Sequence, residues 1–251
     1  MLDFAVTLGK KSGDFLRDHL AGDLAVEYKG IRDLVTVVDR GSQELIVREI
    51  EQAYPDHSIL AEEGFRKDRD SEFTWIIDPL DGTVNFVHRI PFFCVSIALY
   101  RSGKPYLGVC YNPISGELFR AKAGEGAYLN DRRIRVSETG TLIESVVCTG
   151  FPYRQDELDL IIERFRRVVK ASQGVRRFGS AALDLCYVAS GMLDAFWETG
   201  LKPWDMAAGV VVLQEAGGMV TLVDGSPFEL ESGDILASNR KVHDELGRLL
   251  T

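Results

Sequence analysis

The chain has 251 residues, 45% of them apolar and 27% charged, a globular composition that excludes disorder, collagen-like structure and a coiled coil. No apolar run reaches the ~20 residues of a membrane-spanning helix. The first eleven residues, with an early Asp3, lack the basic-then-apolar order of a secretory signal, so a cytoplasmic protein is expected. The net charge of -9, from 38 acidic and 29 basic residues, speaks against nucleic acid as a partner. An anionic substrate would have to be met through bound cations or locally massed donors.

In chain order, Phe4, Ala5, Leu8, Ser12, Phe15, Leu16 and Leu20 repeat at helical spacing and predict a first helix with one buried face. A second helix is predicted over 39–53, ended by Tyr54-Pro55-Asp56. Short β-branched and aromatic runs follow at 58–61, 73–77, 93–100, 106–111 and 118–121, separated by turn chemistry such as Arg101-Ser102-Gly103-Lys104, and they predict a largely antiparallel sheet. Beyond that the pattern alternates: strand 146–149, helix 157–171, strand 175–178, helix 181–189, strand 194–198, helix 204–216, strand 219–223, strand 235–238 and helix 241–250. No linker or repeat divides the chain. The expectation is one compact α/β unit over 1–251, layering helices with mixed or antiparallel sheets, with subdomains at about 1–140 and 141–251. Cys94, Cys110, Cys148 and Cys186 form no CxxC pair and read as reduced core residues.

The segment Trp75-Ile76-Ile77-Asp78-Pro79-Leu80-Asp81-Gly82-Thr83-Val84-Asn85-Phe86 carries most of the chemistry. A buried strand delivers Asp78 at its end, Pro79 fixes a turn, and Asp81 returns to the same side. Two carboxylates with a carbonyl between them are hard oxygen ligands of the kind Mg²⁺ prefers. Gly82 lets the backbone approach a ligand, and the amides of Gly82 and Thr83 can face an anion. Taken singly these features have ordinary explanations. A DxxDG stretch is also a capped turn, Asp39 and Asp205 are also helix caps, and Glu62-Glu63 are also solvated acids.

Rival phosphatase chemistries fit less well. An aspartyl-phosphate route needs DxD spacing, whereas these acids are three apart. Cys148 to Arg154 has the CxxxxxR spacing of a cysteine phosphatase but lacks the glycines that cradle phosphate. His19, His57, His88 and His243 fall in no metal or nucleophile spacing.

Together the segments resemble the inositol monophosphatase family of lithium-sensitive, Mg²⁺-dependent sugar phosphatases. DPLDGT at 78–83 with NF at 85–86 matches its first signature, and WDMAAG at 204–209 with EAGG at 215–218 its second. DLVTVVD at 33–39, AEEG at 61–64 and the stretch 179–198 fall in the same order. The resemblance implies an αβαβα sandwich, a cytoplasmic homodimer and two or three Mg²⁺ per site. It implies that Glu62, Asp78 and the Leu80 carbonyl hold one ion, that Asp78, Asp81 and Asp205 hold a second, and that a weaker third lies near Glu62. Thr83, bonded to Asp39, would help Glu62 deprotonate the attacking water. Gly82 and Thr83 amides would grip phosphate, while Glu198 and Gly179-Ser180-Ala181 would hold substrate hydroxyls, with Arg176 as a further contact. Lys29 sits one residue closer to Asp33 than the mobile-loop lysine of some relatives.

The expected activity is hydrolysis of inositol 1-phosphate by metal-activated water without a phosphoenzyme. Fructose 1,6-bisphosphate, alone or alongside inositol phosphate, and then 3'-phosphoadenosine 5'-phosphate are the alternatives. From a different class comes a protein-interaction module tied to transcription machinery, supported only by Arg132, Arg133, Arg135 and by Arg164, Arg166, Arg167.

Overall fold

A computed structural model describes residues 1–22, 27–28, 34–151 and 158–251. Lys29, Asp33 and Arg154 lie outside them. The chain opens with α1 (Leu2–His19), a two-residue pair β1 (Glu27–Tyr28) and β2 (Leu34–Val35), and α2 (Val37–Ala53). Helix α2 begins two residues earlier than the sequence pattern predicts. Thr36 is its cap: Thr36 Oγ1 accepts from the amide of Val38, and the Thr36 amide donates to Asp39 Oδ2 at 2.8 Å. Asp39 therefore stands inside the first turn as the reciprocal half of a capping box rather than as the cap.

The first sheet follows: β3 (Ser58–Ala61), β4 (Arg66–Lys67), β5 (Phe73–Asp81), the short helix α3 (Thr83–Val87), β6 (Cys94–Arg101), β7 (Lys104–Asn112), β8 (Glu117–Lys122), β9 (Gly126–Leu129) and β10 (Arg132–Ile134). Its eight strands run in the order β10-β9-β8-β7-β6-β5-β3-β4, antiparallel except for the parallel pair β3 and β5. Strand β5 does not stop at Ile77. It continues past Pro79, with a register shift against β6 between Asp78 and Asp81. The irregularity lets an extra stretch of chain bow out of the ladder, which re-aims side chains beside a site.

The rest builds a second sheet with its helices: β11 (Val146–Thr149), α4 (Leu158–Ala171), β12 (Gly174–Arg176), α5 (Ala181–Ala189), β13 (Ala195–Glu198), α6 (Pro203–Glu215), β14 (Met219–Thr221), β15 (Ile235–Ser238) and α7 (His243–Leu250). The five strands run β12-β11-β13-β15-β14; β11 is parallel to both neighbours and the other pairs are antiparallel.

Three apolar clusters set the layers. Helices α1 and α2 pack Leu8, Leu16, Ile46 and Ile50 against Trp75, Ile77 and Val95 of the large sheet. Helices α5 and α6 fill the space between the sheets with Leu185, Val188, Met206 and Val211. Helices α4 and α7 cover the far face of the small sheet through Ile161, Val168, Leu246 and Leu250. The result is an αβαβα sandwich. Helix α6 is pressed so closely between β7 and α5 that a Cβ at Gly108 would strike the Ala208 carbonyl and one at Gly209 would strike Leu185. That is why Ala207, Ala208 and Gly209, the end of the WDMAAG segment, are small.

Candidate active site

The end of β5 is tied to three other parts of the chain. Ser42 Oγ on α2 donates to the Pro79 carbonyl at 3.0 Å and is itself 2.6 Å from Ser12 Oγ on α1, so both outer helices grip the turn. The amide of Leu80 donates to Asp78 Oδ1 at 2.9 Å, which closes the turn internally. Asp81 Oδ2 accepts from Ser180 Oγ at 2.6 Å and from the Ala182 amide at 2.8 Å, at the start of α5. The loop bearing Glu62 is held by Gln43 of α2, whose amide group exchanges hydrogen bonds with the backbone of Glu63 at 2.8 and 3.3 Å.

Gly82 closes the arrangement. Its φ of 93° lies in the left-handed region, and a Cβ there would sit 3.1 Å from the Phe92 carbonyl and 3.2 Å from the Gly179 carbonyl. Only glycine lets the chain pass between those carbonyls into α3. Asn85 fastens the same junction by donating Nδ2 to the carbonyls of Phe92 at 2.7 Å and Phe178 at 2.8 Å.

These ties create a cleft of about 290 Å³ lined by Glu62, Asp78, Leu80, Asp81, Gly82, Thr83, Gly179, Ser180, Ala181, Glu198 and Asp205. Residues from the loop after β3 and from β5, α5, β13 and α6 thus meet at one place. Asp39 lies behind it, buried, with Oδ1 accepting from Thr83 Oγ1 at 3.1 Å and Oδ2 from Thr36. Thr83 Oγ1 is equally close to the Leu80 carbonyl, at 3.1 Å.

Arg176 is not part of the cleft. It ends β12 as an exposed side chain whose Nη1 donates to the Val175 carbonyl at 3.2 Å, and it is the next residue, Arg177, that lines the cleft. Arg176 is the last residue of β12 and its side chain faces solvent. Sequence reading also missed Gly150, Phe151, Lys202 and Trp204 on the cleft wall. At Gly150 the carboxylate of Glu198 lies so close that no Cβ could stand there, a contact that only the fold reveals.

Burial and mutual repulsion dominate the electrostatics. Asp78 is pushed well above the ordinary carboxyl range by burial, then by the charges of Glu62, Asp81 and Asp205. Burial raises Asp205 as well, reinforced by Asp81 and partly opposed by the bond from the Lys202 amide. Asp81 rises only to about 6, because burial is countered by Ser180 and the α5 amides. Burial takes Glu198 up to about 8, with Asp184 adding to the rise and Arg177 opposing it.

The donor set is oxygen alone, four carboxylates and the Leu80 carbonyl, and it suits a hard divalent cation that would relieve the repulsion. Among the described residues, no three acidic, imidazole or thiol side chains are already drawn in around one point. The acids share a cleft and a field rather than a finished coordination shell. The cysteines stay out of this chemistry: all four are free and buried, and burial holds Cys94 and Cys148 protonated. No histidine lines the cleft.

The sequence profile of the inositol monophosphatase family matches residues 1–250. The chain belongs to that family. It is 50% identical over 220 residues, 87% of this chain and 77% of the relative, to an inositol-1-monophosphatase of Synechocystis. It is 42% identical over 250 residues, 98% of this chain and 94% of the relative, to the Nus factor SuhB of Pasteurella multocida. The crystal structure of the suppressor protein suhB from Bartonella henselae superposes with a TM-score of 0.96 at 42% identity, covering 99% of this chain and 97% of that one. Inositol monophosphatase family membership makes the chain a metal-dependent phosphoric monoester hydrolase whose substrate is a small-molecule phosphate. No helix among the described residues is long and apolar enough to cross a membrane.

Proposed function

We propose that this chain hydrolyses inositol 1-phosphate, or a closely similar sugar phosphate, with Mg²⁺ as its cation and without a phosphoenzyme. The observation that carries the reading is the meeting of Glu62, Asp78, Asp81 and Asp205 beside the amides of Gly82 and Thr83 in one cleft. Neither a cysteine nor a histidine lines that cleft to serve as a covalent nucleophile. The four carboxylates and the Leu80 carbonyl would hold two or three Mg²⁺. Once bound, the metal supplies Lewis-acid activation of water and charge neutralisation at the entering and leaving oxygens.

The chain's own residues do the rest. Thr83 Oγ1 donates to the buried Asp39, so its lone pair can take a hydrogen bond from the attacking water and fix that water's direction. Glu62, at the edge of the acid cluster, takes the proton. The amides of Gly82 and Thr83 grip phosphate oxygens, and Glu198 with Gly179, Ser180 and Ala181 holds the hydroxyls of the substrate ring.

Phosphate release from inositol 1-phosphate, assayed with and without Mg²⁺ and in Asp81→Asn, tests this. Strict Mg²⁺ dependence and loss of turnover in the variant are expected; full activity in Asp81→Asn overturns the proposal. The same assay with fructose 1,6-bisphosphate and 3'-phosphoadenosine 5'-phosphate ranks the alternatives.

A second reading keeps one observation. The SuhB relative bears a Nus-factor name, and Arg132, Arg133 and Arg135 stand exposed at the edge of the large sheet. In the other basic cluster Arg166 and Arg167 share the single carboxylate of Glu163, which offsets one of its charges. Capture of a partner at physiological salt that survives loss of the metal ligands but not of these edge arginines would support an interaction role; capture indifferent to them removes it.

A further inference from the structure

Two cations on the cleft wall have no role in the chemistry described so far. Arg177 and Lys202 line a cleft that also carries five acidic side chains, Glu62, Asp78, Asp81, Glu198 and Asp205. Both are exposed, and neither side chain makes a hydrogen bond or ion pair with any described residue. An arginine in such a field ordinarily collapses onto the nearest carboxylate as a bidentate pair. Here Arg177 is seated against Gly179 instead. Gly179, at φ 91°, leaves room directly over its Cα, and the guanidinium fills that room so fully that a side chain at 179 would run into Nη1. From this seat Arg177 is felt by Asp81, Asp184 and Glu198 without bonding to any of them.

The seat also fixes where the arginine stands relative to the reaction. The Gly179 carbonyl lies against Gly82, the first residue of the turn read here as gripping phosphate, and the Arg177 guanidinium lies against Gly179 itself. The cation thus lines the same cleft as that turn and as Glu198, whose carboxyl feels its charge. Ring hydroxyls are already served there by Glu198 and the Gly179–Ala181 backbone. A planar fork of unused donors with a second cation on the same wall matches an anionic oxygen group.

We propose that Arg177, assisted by Lys202, is a specificity-determining residue that binds a second phosphate on the non-reacting part of the substrate, so that bisphosphorylated polyols are preferred over monophosphates. This rests on the reading of the cleft as a phosphomonoesterase site. The matched pair inositol 1,4-bisphosphate and inositol 1-phosphate, assayed on the Mg²⁺-loaded full chain, isolates the second phosphate. The wild type is expected to show the higher kcat/KM on the bisphosphate. Arg177→Met should lower that value about 10- to 100-fold, the range for a lost charge-assisted bond, against a severalfold smaller loss on the monophosphate. Arg177→Lys should restore part of the difference, and Lys202→Met should add a lesser loss of the same kind.

Equal losses on both substrates would mean that Arg177 reads ring hydroxyls or shapes the wall, and would overturn the inference. So would a wild type that favours the monophosphate. A chain inactive on both overturns the functional reading and this inference together, whereas activity on the monophosphate alone removes only the inference.

Discussion

Ser180 Oγ donates to Asp81 Oδ2 at 2.6 Å across 99 positions of sequence, joining the end of the large sheet to the start of α5. With the Ala182 amide on the same oxygen at 2.8 Å, the bond holds a buried carboxylate charged in a place that would otherwise neutralise it. Ser180→Ala should therefore do two things. Stability should fall by about 1–3 kcal/mol, the cost of removing a donor from a charged acceptor, and the Mg²⁺ concentration for half-maximal activity should rise. Urea unfolding and a Mg²⁺ activation curve check both; a variant that matches the wild type in each would show that the bond does not hold Asp81.

The Thr83–Asp39 contact makes a kinetic prediction. If Thr83 directs the attacking water, Thr83→Val should lower kcat by about 10²-fold or more, in the range for loss of general acid–base assistance. KM should change little, because the backbone amides proposed to grip phosphate remain. Steady-state kinetics at saturating Mg²⁺ decide this, and a variant whose KM alone rises would assign Thr83 to binding.

The sequence made some of this legible for physical reasons and hid the rest for others. Asp78 and Asp205 could be read because periodicity put one at the end of a strand and the other at the start of a helix, and Asp81 because Pro79 turns the chain back; their roles as ligands came with the family resemblance. The continuation of β5 past Pro79 could not, because the bulge depends on β6, a non-local partner. Strands β9 and β10 escaped notice because Gly126–Leu129 and Arg132–Ile134 are too short to show alternation across the Asn130-Asp131 turn. Arg176 was carried over with the family resemblance as a further contact, and nothing in the local pattern distinguished it from Arg177. The strand ends at Arg176, and it is Arg177, seated against Gly179, that lines the cleft, a tertiary contact no single-chain pattern reveals.

Gly82 offers a test of the backbone. Gly82→Ala forces a side chain into the left-handed region at φ 93° and against two carbonyls. The strain should cost about 1–3 kcal/mol, and displacement of the 82–83 amides should raise KM for phosphate esters. Thermal unfolding and KM should move together; a stable variant with unchanged KM would show that the turn does not need its glycine.

Glu198 predicts a pH dependence with a definite sign. Its folded carboxyl titrates at about 8, above its ordinary 4.5, chiefly because it is buried. A raised carboxyl binds its proton more tightly in the folded state, so its contribution to stability is fully present below about 4.5 and is lost as pH rises through 8. In the metal-free chain, Glu198→Gln should remove that loss. Melting temperatures of both proteins at pH 6 and pH 9 should differ in slope, the wild type falling further; parallel curves would place the Glu198 carboxylate in water.

Repulsion among the acids yields the last prediction. In the metal-free chain Asp205 raises the cost of ionising Asp78 and is itself raised by Asp81 and Glu62. Asp205→Asn keeps an oxygen for the Lys202 amide, which Asp205 Oδ2 accepts at 2.7 Å, while deleting one charge from the cluster. Its metal-free melting temperature should equal or exceed that of the wild type. Added Mg²⁺ should stabilise the wild type, by about 2.7 kcal/mol at a hundred times the dissociation constant, and the variant far less. A metal-free variant that melts well below the wild type, or one with the full Mg²⁺ shift, would mean that Asp205 serves the fold rather than the cation. The first result would trace its value to the start of α6, and the second would leave Glu62, Asp78 and Asp81 sufficient to hold the metal.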